Sequence, residues 1–310
     1  MTRILITGAA GMVGRALLTE LKDYEVFATD LHPPDNMPDG VAFLRMDVTT
    51  GEPARVIGKV KPDVIVHLAS IVTPTPKIGR EAAYAVDVEG TRKVVNAAIA
   101  SGVRRLVVTS SGAAYGYHAD NCVPLRESDP LRGNPEFPYS DHKRQVEELL
   151  AEARTLAPGL EQVVLRVGTV LGEGTENQIT ALFHKPRLLA VSGTESPFVF
   201  IWTRDLARIL KRAATDGPAG IFNVAGDGAL GVSDLAKTLG KPVLRLPAWV
   251  LRAALALARP LGASRYGPEQ VRFLQYRPVL DNSALKSEFG YTPEKTSAEV
   301  FDFWKQQAGL

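Results

Sequence analysis

The sequence has few cysteines, little net charge and no long apolar segment. Its single cysteine, Cys122, excludes an intrachain disulfide and a cysteine-built metal site. Lysine and arginine total 36 against 34 acidic residues, and this balance disfavours a nucleic-acid partner, whose phosphates need a cationic surface. The 5 histidines lack metal-ligand spacing, so we expect no metal site. The start, MTRILITG, does not resemble a signal peptide, and we expect a cytoplasmic protein without a transmembrane segment.

Apolar runs alternate with helical patterns through the first half of the chain. The runs RILITG, DVIVHLA and RRLVVTS are continuous rather than alternating, which is typical of strands buried on both faces. Strands that alternate with helices predict a parallel sheet covered by helices on both sides. We therefore predict an α/β fold with strands near 3–6, 25–29, 41–44, 63–67, 105–109 and 162–167, and helices near 11–21, 54–58, 81–100 and 138–156.

This rhythm breaks after Gly172. The remaining pattern predicts strands near 198–201 and 220–224, and helices near 204–214, 249–258, 269–276 and 297–307. We expect a nucleotide-binding domain over 1–172, and we expect a later segment at about 203–225 to return to this domain. A smaller, mostly helical substrate-binding domain would comprise 173–202 and 226–310.

A glycine-rich turn joins the first strand to the first helix. Gly8 permits a tight turn, Gly11 lets the backbone approach a pyrophosphate, and Gly14 lets the helix pack closely on the strand. Asp30 ends the second strand, at the distance expected for a carboxylate that binds the adenosine ribose hydroxyls. That carboxylate would repel a 2′-phosphate, so the pattern favours NAD over NADP. The predicted cofactor contacts of this region are Gly8, Ala10, Gly11, Met12, Val13, Gly14, Asp30 and Leu31.

Tyr139 and Lys143 begin the helix after Pro138 and are four residues apart, so they share one helical face. A free tyrosine titrates near ~10, and a neighbouring cation favours its ionised form. We therefore expect Lys143 to lower the pKa of Tyr139. Ser110 and Ser111 end the fifth strand, at the edge where open α/β sheets bind ligands. Of these, Ser111 is the candidate for bonding a substrate oxygen, whereas Ser110 is interpreted as a strand terminator.

These motifs occur in a fixed order. They are Gly8-x-x-Gly11-x-x-Gly14, Asp30, Asp47-Val48, His67-Leu68-Ala69-Ser70, Ser111-x-x-x-Tyr115 and Tyr139-x-x-x-Lys143. Together they resemble the extended short-chain dehydrogenases/reductases, the NAD-dependent epimerase/dehydratase family, which has a Rossmann fold. The closing segment from Arg277-Pro278 to Thr292-Pro293 is similar as well. In overall texture the C-terminal part resembles 3β-hydroxysteroid-dehydrogenase-like members more than sugar-nucleotide epimerases.

The resemblance implies catalytic roles for three residues. Tyr139 would be the general acid/base, Lys143 would bind the nicotinamide ribose, and Ser111 would polarise the substrate oxygen. The other implied cofactor contacts are Asp47 and Val48 at the adenine, Leu68, Ala69 and Ser70 at the ribose and phosphates, and Thr109, Val167 and Thr169. The resemblance also implies a homodimer formed by helices near 82–100 and 143–156.

Three positions depart from the family pattern. Asp87 stands where members usually have asparagine. Thr169 replaces an asparagine of sugar-nucleotide enzymes, and Phe198-Val199 replaces an arginine-aspartate pair whose arginine holds a diphosphate. Phenylalanine there favours an apolar pocket wall, so Phe198 and Thr169 join Ser111 as predicted substrate contacts. Candidates for a replacement cation are Arg187, Arg265 and Arg272.

Three functions remain open on this pattern. The first is an NAD-dependent oxidoreductase acting on a secondary alcohol or ketone of a fairly apolar substrate. The second is a nucleoside-diphosphate-sugar epimerase or dehydratase with tightly bound NAD. The third is a non-catalytic dinucleotide sensor, which the presence of both Tyr139 and Lys143 disfavours. The apolar stretch from Trp249 to Arg259 is interpreted as a core helix, a pocket wall or a surface-binding helix, and is too short to span a bilayer.

Overall fold

The computed structural model describes residues 1–72, 79–264 and 266–310. Its strands are β1 Arg3–Thr7, β2 Glu25–Asp30, β3 Ala42–Arg45, β4 Val64–His67, β5 Arg105–Ser111, β6 Glu161–Val167, β7 Thr169–Leu171, β8 Leu188–Val191, β9 Phe200–Trp202, β10 Gly220–Val224 and β11 Val243–Leu246. Its α-helices are α1 Met12–Glu20, α2 Glu52–Val60, α3 Arg80–Tyr84, α4 Thr91–Ala100, α5 Pro138–Leu156, α6 Gln178–Phe183, α7 Thr203–Ala214, α8 Val232–Leu239, α9 Ala248–Ala258, α10 Gln270–Gln275, α11 Ser283–Ser287 and α12 Ser297–Gln307. A π-helical segment, Ala85–Gly90, joins α3 to α4, and a 3₁₀ turn, Gly112–Tyr115, follows β5.

Seven strands form one parallel sheet in the order β10-β6-β5-β4-β1-β2-β3. Side chains of successive strand residues point to opposite faces, and both faces of this sheet are covered. Ile4 and Ile6 of β1 pack into one apolar core, whereas Leu5 between them packs into the other. This double burial explains the continuous apolar runs and confirms the predicted α/β fold of the Rossmann type.

The C-terminal half adds two small parallel strand pairs, β7 with β9 and β8 with β11. They pack against α12 and α8 around an aromatic core that includes Phe183, Phe200, Phe301 and Trp304. β10 returns to the large sheet beside β6, inside the segment predicted to return. The division into two domains at the stated boundaries stays a prediction.

Several predicted elements have the observed bounds, among them α5, α12 and β10. The predicted helix at 81–100 is wrong in detail, since its middle is π-helical. At Gly90, the end of that segment, a Cβ atom would lie 2.8 Å from Cγ2 of Val48. The pattern also missed six short elements, because strands of three or four residues and helices of five to eight have too little sequence to show a period. These are β7, β8, β11, α6, α8 and α11. No helix within the described residues is long and apolar enough to cross a bilayer.

Candidate active site

The turn between β1 and α1 is built from glycines that leave no room for a side chain. Gly8 has a φ of +68°, and a Cβ atom there would lie 2.6 Å from the backbone N of Ala69. A Cβ atom on Gly14 would lie 2.5 Å from the carbonyl oxygen of Gly8. Thr7 joins the turn to the end of β4, because its carbonyl oxygen accepts from the Leu68 N–H at 3.1 Å. The turn is therefore held tightly against the ends of two central strands.

The first helix leaves its N-terminal N–H groups available beside this turn. Its N-cap, Gly11, provides no side-chain cap, so the partial positive charge of the helix end faces outward. The Asp30 carboxylate accepts from the backbone N–H of Ala10 at 3.0 Å and of Leu31 at 2.7 Å. A bare helix end for a pyrophosphate and a fixed carboxylate for ribose hydroxyls suit a dinucleotide. The residues present thus fit NAD.

Tyr139, Lys143 and Ser111 meet at the carboxyl edge of the sheet, where β5 ends. The Lys143 Nζ atom lies 5.6 Å from the centre of the Tyr139 ring and donates to the Thr109 carbonyl oxygen at 2.9 Å. The Ser111 hydroxyl accepts from the Ala113 N–H at 3.1 Å, and its interaction with the Tyr139 phenol lowers the pKa of that phenol. The structure thus assembles the three predicted catalytic side chains in one place.

The expected effect of Lys143 on Tyr139 is wrong for this arrangement. Burial raises the pKa of Tyr139 to about 12, and the bond to Ser111 offsets only part of that rise. Lys143 is itself buried, which lowers its own pKa, and its ammonium binds a backbone carbonyl rather than the phenol. Sequence spacing shows which residues share a helical face, but not how far each is removed from water. The protein alone therefore keeps the phenol protonated.

Asp87, where the family resemblance leads us to expect asparagine, is the centre of a buried polar network. One of its oxygens accepts from the Ser70 hydroxyl at 2.9 Å and from the Ile71 N–H at 2.8 Å. The other lies 3.0 Å from Nδ1 of His142, a residue of the same helix turn as Lys143. Burial alone would raise the pKa of Asp87, but His142 and the Lys143 charge outweigh it and keep that pKa low. The substitution thus places a carboxylate, with a histidine partner, beside the active-site lysine.

His67 has a structural position between two threonine hydroxyls. Its Nδ1 lies 2.7 Å from the Thr7 hydroxyl and its Nε2 lies 2.9 Å from that of Thr91. Burial, with the charge of Lys143, lowers the pKa of His67 to about 3, so the ring is neutral. Over the described ranges, no group of three or more histidine, cysteine or acidic residues could hold a metal ion.

A buried ion pair supports the strand ends beneath the site. Both oxygens of Glu147 accept from Arg166, at 2.7 to 3.0 Å. Glu147 also accepts from the Ser110 hydroxyl at 2.5 Å, and Arg166 donates to the Tyr115 hydroxyl at 2.8 Å. Ser110, interpreted as a plain strand terminator, therefore binds α5 through Glu147. The network fixes the end of β5, where Ser111 lies.

The other predicted cofactor residues lie around the same edge, and several of them are held by hydrogen bonds or by packing. The Asp47 carboxylate is engaged by the N–H and hydroxyl of Thr49, and Val48 is packed beneath Gly90. Ala69 and Ser70 follow β4 beside Gly8 and Asp87. Val167 ends β6, and Thr169 begins β7 with its N–H bonded to the Val199 carbonyl at 3.1 Å. Met12 and Val13 start α1.

The surroundings of Phe198 include a buried cation, Arg277, that the sequence analysis missed. The Arg277 guanidinium carbon lies 3.8 Å from the centre of the Phe198 ring and 5.0 Å from that of Phe273. Its Nη1 donates to the carbonyl and hydroxyl oxygens of Ser196, while its Nε is buried without a partner among the described residues. Burial lowers the pKa of Arg277 to about 9. Nothing in the described parts of the chain pairs it with a carboxylate.

Phe198 is packed in the aromatic core of the C-terminal half, and the Arg277 cation lies against its ring. Its role as an apolar wall of the substrate pocket stays a prediction. The candidate replacements do not provide this cation: Arg187 is exposed, and Arg272 forms a surface ion pair with Glu136 at 2.9 Å. Arg265 lies outside the described residues. In the sequence, Arg277 was noted only as the first residue of the closing segment that resembles the family. Tyr117 connects the two halves of the site, since its ring is 5.3 Å from Phe273 and it interacts electrostatically with both Tyr139 and Arg277.

Residues 4–225 match the NAD dependent epimerase/dehydratase family. The chain belongs to this family. The description of this family names NAD, which is the cofactor that the glycine-rich turn and Asp30 favour.

Individual relatives span most of the chain. An uncharacterized protein of Mycobacterium tuberculosis is 26% identical over 99% of this chain and 84% of its own length. A UDP-glucose 4-epimerase of Azospirillum brasilense is 30% identical over 55% of this chain and 49% of its own length.

Solved structures share the fold at lower identity. A Thermotoga maritima UDP-glucose 4-epimerase, solved with UDP-glucose, has a TM-score of 0.78 at 20% identity and covers 99% of both chains. A Thermus thermophilus UDP-glucose 4-epimerase, solved with NAD, has a TM-score of 0.76 at 22% identity over 99% of this chain and 98% of its own. These relatives do not support the distinction between hydroxysteroid-dehydrogenase-like and sugar-nucleotide members.

Proposed function

We propose that this protein catalyses NAD-dependent oxidoreduction at a secondary alcohol or ketone. The observation that carries the proposal is the convergence of Ser111, Tyr139 and Lys143 at the sheet edge that also holds the glycine turn and Asp30. Bound there, NAD would accept or donate the hydride. The chain's own residues must then hold the cofactor, orient one carbon and move one proton.

The three catalytic residues have different tasks in this proposal. The Tyr139 phenol exchanges a proton with the substrate oxygen, and Ser111 holds that oxygen through its hydroxyl. Lys143, fixed by the Thr109 carbonyl, donates to the nicotinamide ribose and supplies a positive charge near the phenol. Because the protein alone raises the pKa of Tyr139 to about 12, ionisation of the phenol requires further positive charge at the site. Oxidised nicotinamide provides such a charge.

The pocket walls favour a substrate with an apolar portion next to the reacting carbon. Tyr117 packs edge-on against Phe137 at 5.1 Å and Phe273 at 5.3 Å, and Phe198 lies beyond, beneath Arg277. Aromatic walls of this kind bind flat apolar groups through burial and ring contacts. We therefore infer a fairly apolar substrate.

The test is a panel of hydroxysteroids, aryl alcohols and hydroxy acids with NAD, followed by NADH formation. We expect turnover with at least one class and its loss by about 10²–10⁴-fold in Tyr139→Phe, which is the usual contribution of a positioned acid/base. The matched control is Tyr276→Phe, a tyrosine after α10 that takes no part in the proposed chemistry. Turnover that survives in Tyr139→Phe would refute the assignment.

Arg277 favours a second candidate, a nucleoside-diphosphate-sugar epimerase or dehydratase that retains NAD. A buried guanidinium without a carboxylate partner is suited to a phosphate, to which it can donate two parallel bonds. Under this alternative the purified protein contains NAD, and UDP or dTDP raises its melting temperature. The absence of both effects would exclude it.

Two further predictions follow from the family resemblance. A non-catalytic sensor role requires Lys143→Ala to have wild-type activity in cells, and we expect activity to be lost instead. We also expect a homodimer through α4 and α5, where Ile99 and Leu156 are exposed. Light scattering on Leu156→Glu would show a monomer if this seam is correct.

A further inference from the structure

Helix α9 is apolar around its whole circumference, although much of it faces solvent. Its sequence, AWVLRAALALA, has one charged residue, Arg252. Within this fully described helix only Leu251 is buried, and it belongs to a small core with Val191 and Val271. Trp249 is 71% exposed and Leu257 is 70% exposed. A helix that is apolar on all sides is normally covered on all sides. We therefore expect another molecule to cover the solvent-exposed side of α9.

The exposed residues form one continuous stripe. Trp249, Ala253, Ala256 and Leu257 are spaced at intervals that bring them to one face of a helix, and the face opposite Leu251 is the solvent side. Leu261, which follows the helix, is 81% exposed. We call the stripe of Trp249, Ala253, Ala256 and Leu257 the outer face of α9.

The charged residues of the chain segment that carries this outer face are all basic. From Lys241 to Gly267 the sequence has five basic residues and no acidic residue. Arg252 and Arg259 are seven residues apart, so they lie along the same edge of the stripe, and both are exposed. Arg259 forms an ion pair, at 3.5 Å, with Glu269, which lies outside this stretch. The outer face is thus an apolar stripe edged by cations.

We propose that the outer face of α9 binds the surface of an anionic lipid bilayer. An 11-residue helix is too short to cross a bilayer, but it can lie in the interface with its apolar stripe buried among the acyl chains. Tryptophan favours this boundary, and arginines can keep their guanidinium groups among the headgroups while their stems remain in apolar surroundings. A second copy of the chain fits less well, because an isologous contact would bring the basic edge of one copy against the basic edge of the other.

The helix lies close to the candidate active site. α10 contacts α9 through Val271 and Leu274, while its Phe273 packs against Tyr117 and Arg277. A bilayer bound at α9 would therefore lie one helix away from the aromatic walls. The proposal itself does not depend on the reaction that the site catalyses.

Trp249 gives the experiment a direct signal. The other two tryptophans, Trp202 and Trp304, are buried at 8% and 2% exposure, so a change in emission on binding reports Trp249. The full chain is mixed with vesicles of phosphatidylcholine alone or with phosphatidylglycerol added, and binding is measured by sedimentation and fluorescence. We expect binding to the anionic vesicles, a blue shift, and quenching by brominated lipids. Trp249→Phe abolishes the fluorescence response even where sedimentation persists.

Two variants test the stripe and its edge separately. Leu257→Glu should weaken partitioning about tenfold or more, since burial of one leucine exceeds the ~1.4 kcal/mol that corresponds to tenfold. Arg252→Gln with Arg259→Gln should weaken it by about fivefold per charge removed, and 1 M salt should do the same by screening. Val123→Glu, at an exposed residue outside α9, is the matched control. Melting temperatures confirm that each variant is folded.

Specific results would overturn the proposal. These are no sedimentation with anionic vesicles, equal binding to neutral and anionic vesicles, or unchanged binding by folded Leu257→Glu. A dimer that Leu257→Glu dissociates, in a protein that does not bind vesicles, would show instead that the outer face of α9 contacts a second copy.

Discussion

Replacing Arg277 with methionine should stabilise the protein and, under the nucleoside-diphosphate-sugar alternative, at the same time remove its affinity for the diphosphate. Each unit of pKa is worth about 1.36 kcal/mol. The fall in the pKa of Arg277 from its ordinary value to about 9 therefore corresponds to roughly 5 kcal/mol by which burial penalises the charged form. Methionine removes this penalty while it keeps most of the side-chain volume.

Favourable contacts of Arg277 reduce the expected gain. A desolvated cation over an aromatic ring is worth about 2 kcal/mol, and Phe198 lies 3.8 Å below the guanidinium. The two bonds to Ser196 are lost as well. We expect a net stabilisation of about 1–3 kcal/mol, of the kind seen when buried charges are replaced by apolar groups.

The pH dependence has a definite sign. The folded-state pKa of Arg277 lies below its unfolded value, so the penalty is fully present below about pH 9 and fades as the pH rises toward 12.5. The advantage of Arg277→Met is therefore complete at pH 7 and shrinks above pH 9. Thermal melts of both proteins at pH 7 and pH 10 measure this difference.

The ligand assay uses the same melts with UDP, dTDP or inorganic phosphate added. Removal of one partner of a buried charge pair costs about 2–5 kcal/mol of binding, so the variant should lose the ligand-induced shift. Arg272→Met is the control, because Arg272 is an exposed arginine of the same region with a surface ion pair. If Arg277→Met melts at a lower temperature and keeps the UDP shift, the assignment of Arg277 as a buried anion site is refuted.

Four further substitutions test the glycine turn, the choice of cofactor and the buried ion pair. Gly14→Ala should lower the stability of the protein by about 1–3 kcal/mol and also lower its NAD affinity, because the new Cβ would lie 2.5 Å from the Gly8 carbonyl oxygen. Gly58→Ala, in open space within α2, should instead stabilise the protein by about 0.5–1 kcal/mol. Urea unfolding and NAD titration compare the two, and equal behaviour would contradict the close packing. Asp30→Ser should shift the ratio of NAD to NADP dissociation constants toward NADP, and an unchanged ratio would remove Asp30 from cofactor selection. Glu147→Gln should cost about 3–5 kcal/mol in urea unfolding, because it leaves Arg166 buried without its counter-charge; a cost below ~1 kcal/mol would show that the pair is not important.

The central sheet could be predicted from the sequence because its cause is local. β4 has four buried residues in succession, and its apolar composition shows that it is buried on both faces. α5 begins at a proline, Pro138, a residue that favours the first position of a helix. The glycine turn was equally clear, since its three glycines are required within seven residues by backbone geometry.

The features that were missed depend on residues far apart in the chain. Arg277 reaches Phe198 across 79 residues, and His142 reaches Asp87 across 55. The pKa of Tyr139 was predicted with the wrong sign because spacing reports its neighbours and not its burial. The substrate side of the site is thus a product of tertiary packing, whereas the cofactor side follows from local sequence.

The titration of Tyr139 reports whether the nicotinamide of NAD lies beside the proposed acid/base, and it needs no knowledge of the substrate. Tyrosine ring-carbon NMR of wild type and Tyr139→Phe identifies its signal, and the pH is raised to 10 with and without oxidised NAD. We predict that Tyr139 does not ionise by pH 10 in the protein alone, where burial raises its pKa to about 12, and that NAD lowers this pKa into the measured range. An unchanged titration in the presence of saturating NAD would contradict the placement of the nicotinamide beside Tyr139.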